Sequence, residues 1–184
     1  MARRLVRTPF EQLGLDFELV APRWSFSRLV LRSPHFERIR ERIEFVRGFF
    51  PEMAGVTIRV GLAQKHGVLG WGSLDPARPG IWVRPRRTEL FTIAHEMTHL
   101  LQARGIVPRG ERQCDLWALA RSPLVIDSPP TYLKLPRRLK RRPVRTDHAA
   151  LLHRLARECV NARDRGDRRY LQMFERAIAC APES

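Results

Sequence analysis

An α+β fold is predicted by three observations. An apolar stripe of helical period runs from His35 to Phe50, a two-residue alternation replaces it between Val56 and Leu62, and long helical patterns return from Thr88 onward. In the first stretch Phe36, Ile39, Ile43, Val46 and Phe50 step by three and four between Arg and Glu, the pattern of an amphipathic helix, with Ser33 as its expected N-cap. Val56 to Leu62 then alternates and is rich in β-branched residues, and shorter apolar runs follow at Val68 to Trp71 and Ile81 to Val83. These predict three short strands. Gly67, Gly70, Gly72, Asp75-Pro76 and Pro79-Gly80 separate them with turns, so the sheet is expected to be small and mixed or antiparallel.

Pro85 closes the strand region, and Thr88 is placed to cap a second helix that runs to about Arg104, where Gly105 offers a stop. A third helix is expected from near Gly110 to Ser122-Pro123. Prolines 129, 130, 136 and 143 predict an irregular wrap over the surface, and Asp147 to about Ala179 is helical in two pieces broken near Arg165-Gly166-Asp167. The expected organisation is a single domain over 1–184: a core at about 35–122, the Pro/Arg-rich wrap at 127–145, and C-terminal helices at 147–179.

The 184 residues include 34 basic against 19 acidic side chains, a net charge of +15, and 43% hydrophobic residues. That hydrophobic content excludes a disordered polyelectrolyte, and no apolar run approaches the roughly 20 residues of a membrane span. Met1 to Arg7 carries the charge of a signal peptide, but Pro9, Glu11, Asp16 and Glu18 interrupt the apolar segment that should follow, so a cytoplasmic location and no membrane partner are expected. Cys114, Cys159 and Cys180 form no CxxC pair and are odd in number, which argues against a disulfide framework and for small buried residues.

Within the second helix lies His95-Glu96-Met97-Thr98-His99, an HExxH pattern. Histidines at i and i+4 stand one above the other on a helix, so both imidazoles can reach one zinc, and the intervening Glu96 can take a proton from the water that zinc activates. At about 100° per residue, Leu90, Ile93, Ala94, Met97, Leu100 and Leu101 share one face while His95 and His99 point from the opposite one. A third protein ligand is needed, with one position left for water. Downstream, Glu111 and Asp115 share a helix face at i and i+4.

In these residues the chain resembles the gluzincin metallopeptidases, the glutamate-type zincins, over roughly 80–120. The resemblance implies a zincin-like fold, in which a small sheet packs on the HExxH helix, and a zinc-dependent hydrolase acting on peptide bonds. It implies zinc held by His95, His99 and Glu111, Glu96 as catalytic base, and Asp115 hydrogen-bonded to a ligating histidine. The 11-residue spacer between His99 and Glu111 also fits the reverse, with Asp115 as ligand and Glu111 not. Gln102, three places after His99, excludes the metzincin continuation. The resemblance further implies an edge strand beside the metal that pairs with an extended peptide, for which Gly80 to Arg84 is the candidate, and an oxyanion donor, for which Tyr132, His148 and His153 are available.

Between Leu133 and Arg145 lie Lys134, Arg137, Arg138, Lys140, Arg141, Arg142 and Arg145 without one acid, a candidate contact for DNA or RNA phosphates. The four tryptophans are not interleaved with this run, so it carries no base-stacking platform. The charge fits a peptidase acting on acidic proteins or on proteins met on nucleic acid. The competing expectation is a nucleic-acid-binding protein whose zinc site is structural or relict, closed by a fourth ligand such as Cys114 or His66.

Overall fold

The computed structural model describes residues 23–63 and 70–181. His66, the start of the strand expected at Val68, and the leader reading of the N-terminus lie outside the described residues. The fold is α+β. Four strands, β1 (Arg23–Phe26), β2 (Thr57–Leu62), β3 (Gly70–Gly72) and β4 (Gly80–Val83), form one sheet with order β1-β2-β4-β3. β1, β2 and β4 run parallel, and β3 is antiparallel to β4, so the sheet is mixed. β1 was not expected: its four residues carry no alternation long enough to read, and it forms by pairing with β2.

The parallel pairing of β1 and β2 requires a crossover, which α1 (Arg28–Leu31) and α2 (Phe36–Arg47) supply. α2 buries Ile39, Ile43 and Val46, the stripe read from the sequence. Ser33 is not its cap. Its Oγ accepts from the His35 N–H (3.2 Å) and its carbonyl from the Phe36 N–H, which moves the helix start on to Phe36.

α3 (Leu90–Ala103) is buried around nearly its whole circumference: the apolar face packs on the core, and the histidine face is covered by α4 (Glu111–Arg121). Thr88 does not cap it, because its hydroxyl donates to the Arg84 carbonyl (2.7 Å). The cap is Asp127, from the wrap, which accepts from the N–H groups of Leu90 (2.8 Å) and Phe91 (3.0 Å) and pairs with Arg42 at 3.2 Å. Replacing Asp127 with Ala should destabilise the fold by about 1–2 kcal/mol, the value of a lost N-terminal cap, read as a shift in urea midpoint. At the other end Gly105, at φ +73°, donates to the Gln102 carbonyl while Ile106 donates to that of Leu101, so the expected glycine stop is in place.

α5 (Thr146–Asp164) and α6 (Tyr170–Cys180) are separated at Gly166 (φ +99°) and pack behind α4, where Tyr170 meets Trp117 edge-on and donates its hydroxyl proton to Gln113. The wrap is anchored by buried Leu133, Leu135 and Leu139, the last on a 3-10 turn at Arg137–Lys140. Its cations divide. Half-buried Arg138 donates to the Ala181 carbonyl (2.7 Å), and exposed Arg142 and Arg145 pair with Glu89 (2.7 Å) and Asp147 (2.7 Å), beside the exposed Lys134, Arg137, Lys140 and Arg141. Cys114 and Cys159 are buried free thiols, but Cys180 is exposed. Among the described residues no helix is long and apolar enough to cross a membrane.

Candidate metal centre

α3 and α4 bring His95, His99, Glu111, Cys114 and Asp115 together. The imidazoles of His95 and His99 lie 4.9 Å apart between centroids, as the i, i+4 spacing requires. Asp115 is 1% exposed; its Oδ1 faces His95 Nδ1 at 2.8 Å, and Oδ2 accepts from the N–H groups of Tyr132 (2.6 Å) and Leu133 (3.2 Å). An ionised carboxylate only accepts, so His95 donates through Nδ1–H and aims Nε2 away from Asp115.

Gln102 does the same for His99. Its amide nitrogen donates to the carbonyls of Pro108 (2.5 Å) and Gly110 (3.0 Å), which leaves the amide oxygen facing His99 Nδ1 at 3.0 Å. That oxygen can only accept, so His99 also aims Nε2 outward. The two Nε2 atoms converge on Glu111 Oε2, at 3.0 Å from His95 and 3.3 Å from His99. Tetrahedral zinc at about 2.0–2.1 Å from each N or O ligand sets those ligand atoms about 3.3 Å apart. The distances from Glu111 Oε2 to both nitrogens suit a zinc site. His95, His99 and Cys114 also place ligand atoms within 4.8 Å of one another and can hold a metal ion. Cys114 Sγ lies 3.2 Å from His99 Nδ1, the nitrogen on the side away from Glu111.

Electrostatics describe a pocket that wants a cation. Burial disfavours charge on His95, yet hydrogen bonds to Asp115 and Glu111 and the nearby Glu96 raise its pKa to about 9. His99 goes the other way, lowered by burial and by the neighbouring positive His95. The hydrogen bond from His95 holds the Glu111 carboxyl below its ordinary value. The proton on His95 thus stands where a bound cation would, and binding one would release it. Burial, aided by Glu111, Glu96 and Asp115, pushes the Cys114 thiol well above its usual range.

Glu96 is 6% exposed, and burial raises its carboxyl to about 7, opposed by His95 and by a hydrogen bond from the Gly72 N–H. That bond comes from β3. Ser73 donates to the Gly80 carbonyl (2.8 Å), so with the β3–β4 register Trp71 pairs with β4 while Gly70 and Gly72 turn their N–H and C=O groups to the open edge. The close approach demands glycine: a Cβ on Gly70 would sit 2.6 Å from Glu96 Oε1, and one on Gly72 would sit 2.7 Å from the Glu96 carbonyl and 2.8 Å from His99 Cβ. Gly72→Ala should therefore cost about 1–3 kcal/mol through overpacking, measured by urea unfolding.

The edge strand beside the centre is β3. The expected candidate, Gly80 to Arg84, is interior, because β4 lies between β2 and β3. Of the three candidate donors, Tyr132 stacks on His95 (5.6 Å, 24°) and is 49% exposed. His153 is committed to the Leu119 carbonyl (2.8 Å), and His148 lies in the first turn of α5. Sequence reasoning missed Gln102 as the partner of His99; its place three residues after His99, on the same helix face, was the available signal. Comparison with known proteins returns no match to a family model, to a curated protein or to a solved structure.

Proposed function

We propose that the chain is a zinc-dependent metallopeptidase of gluzincin type, with His95, His99 and Glu111 as ligands and Glu96 as general base. The observation that carries this reading is the corner of three ligand atoms, His95 Nε2, His99 Nε2 and Glu111 Oε2, with Glu111 Oε2 at zinc-like distances from both nitrogens, beside a buried carboxylate poised near neutrality. Three ligands leave a fourth position open, the arrangement of a catalytic rather than a structural site. Zinc bound there supplies a Lewis acid that polarises the scissile carbonyl and acidifies the attacking water.

The protein's own groups supply the rest. Glu96, with a pKa of about 7, accepts the proton of that water and passes it to the leaving amine. Asp115 and Gln102 keep both imidazoles in the tautomer that presents Nε2. The edge of β3 offers the backbone groups of Gly70 to an extended peptide, and Tyr132, whose ring stacks on His95, is the candidate oxyanion donor. Fully or partly unfolded proteins are the fitting substrate class, because an edge strand reads extended backbone.

A second reading rests on Cys114. If the metal is held by His95, His99 and Cys114 and a further protein group fills the fourth position, the site is closed and the protein is a nucleic-acid-binding protein with a structural zinc. The test between them is hydrolysis of a quenched-fluorescence peptide library by zinc-loaded protein, with a chelator and Glu96→Gln as controls. Hydrolysis abolished by both supports the peptidase. Zinc-loaded protein that cleaves nothing, or activity that survives Glu96→Gln, refutes it.

A further inference from the structure

Residues of the strands alternate between the two faces of the sheet. Ile58, Val60, Ile81 and Val83 point inward and are fully buried, whereas Ser25, Thr57 and Arg59 point outward and are exposed. The outward set continues through Gly61, Gly80, Trp82 and Trp71 and contains no acid. The indole of Trp82 lies flat across the neighbouring backbone: a Cβ on Gly61 would be 2.3 Å from its Cδ1 and Nε1, and one on Gly80 would be 3.0 Å from its Cη2. Trp71, its partner on β3, stacks on it at 4.6 Å with planes 34° apart and is still 58% exposed. Two bare glycines thus seat one tryptophan, which carries a second one open to solvent.

One cation lies on this face and two more at the carboxyl end of the sheet. Arg59 is the register partner of Gly80 and is exposed. At the carboxyl ends of β2 and β4 an open pocket of about 710 Å³ is lined in part by His35, Ala63, Pro85, Arg86 and Arg87, and both of these arginines are exposed. The N-terminus of α2 opens beside it with His35 at the cap and no side-chain cap bond, adding the positive end of a 12-residue helix. The one acid in that first turn, Glu37, is paired with Arg40 at 2.6 Å.

We propose that the outward face of the sheet binds single-stranded nucleic acid, with bases stacked on Trp71 and phosphates held by Arg59, Arg86 and Arg87. Aromatic side chains beside cations are what unpaired bases on a charged backbone require, and a net charge of +15 supplies long-range attraction. A duplex hides its base faces and would leave Trp71 unused. An apolar protein partner would gain nothing from the arginines. The face is distinct from the wrap, whose Arg138, Arg142 and Arg145 are engaged by the protein's own carbonyl and carboxylate groups.

The experiment is fluorescence anisotropy of the full chain with labelled oligo(dT) of about 12 nucleotides, over a range of salt, against a duplex of equal length. Trp71→Ala should weaken binding about tenfold and Trp71→Phe should restore most of it. The double variant Arg86→Ala/Arg87→Ala should lower the slope of log affinity against log salt by about 1.4, two phosphate contacts on a single strand. Because both arginines are exposed, this arm decides the matter even if Trp71→Ala folds poorly. Absence of oligo(dT) binding, tighter binding of the duplex, or a loss seen only in Arg137→Ala/Arg141→Ala overturns the proposal.

Discussion

Replacing Glu96 with Gln should lower peptide hydrolysis by about 10²–10⁴-fold, the usual contribution of general acid–base catalysis, while zinc content stays unchanged. The substitution is nearly isosteric, so its amide oxygen can still accept from Gly72, and the packing of β3 on α3 is retained. What disappears is a carboxylate raised by burial to about 7, a base matched to proton transfer at neutral pH. A cation held by His95 and His99 would favour its ionised form, so the working base is charged when the site is loaded. The measurement pairs initial rates on a fluorogenic peptide with zinc analysis of the same preparation. A variant that loses zinc as well would place Glu96 in the centre's structure rather than in proton transfer, and a variant of normal rate would remove it from the mechanism.

What could be read from the sequence was local. The HExxH spacing, the stop at Gly105, the start after Gly110 and the break at Gly166 are properties of a few consecutive residues, and each occurs where expected. The grouping of Glu111 and Asp115 with the histidines was expected from the resemblance to the gluzincins rather than from any local pattern, and the helices do bring these residues together. The structure divides their roles: Glu111 faces the Nε2 atoms and Asp115 the Nδ1 of His95. Gln102, used in the sequence only to exclude an alternative, proves to link His99 to the start of α4.

Everything that depended on distant pairing was hidden. The cap of α3 comes from Asp127, 37 residues beyond Leu90, and its presence frees Thr88 for another bond. Strand order is likewise a tertiary property: Gly70-Trp71-Gly72 is a poor strand by composition, yet it takes the edge because glycine alone permits the approach to Glu96. The basic run looked like a uniform surface, but two of its five arginines reach partners that no local pattern connects to them, Arg138 the Ala181 carbonyl and Arg142 the Glu89 carboxylate. Trp71 and Trp82 are 11 residues apart and become a stacked pair only through the β3–β4 register.

Glu111→Ala should reduce zinc affinity by more than about 100-fold, beyond the 10–100-fold expected for Asp115→Asn, whose residue only orients a ligand. Cys114→Ser should leave affinity within about tenfold, because thiolate ligation would cost a bond that holds His99 in place. The imidazole nitrogen nearest to Cys114 Sγ, Nδ1 of His99, is engaged by Gln102. Recruiting that nitrogen would break the Gln102 bond and disturb its attachment to Pro108 and Gly110, which positions α4. One imidazole cannot direct Nε2 toward Glu111 and Nδ1 toward Cys114 on the same ion, so the two ligand sets are mutually exclusive at His99. Cobalt substitution separates them without any assay of activity. A Glu111-type centre gives visible bands without sulfur-to-cobalt charge transfer, and intense near-ultraviolet charge transfer that vanishes in Cys114→Ser would assign the His95, His99 and Cys114 ligand set and withdraw the Glu111 ligand on which the peptidase reading rests.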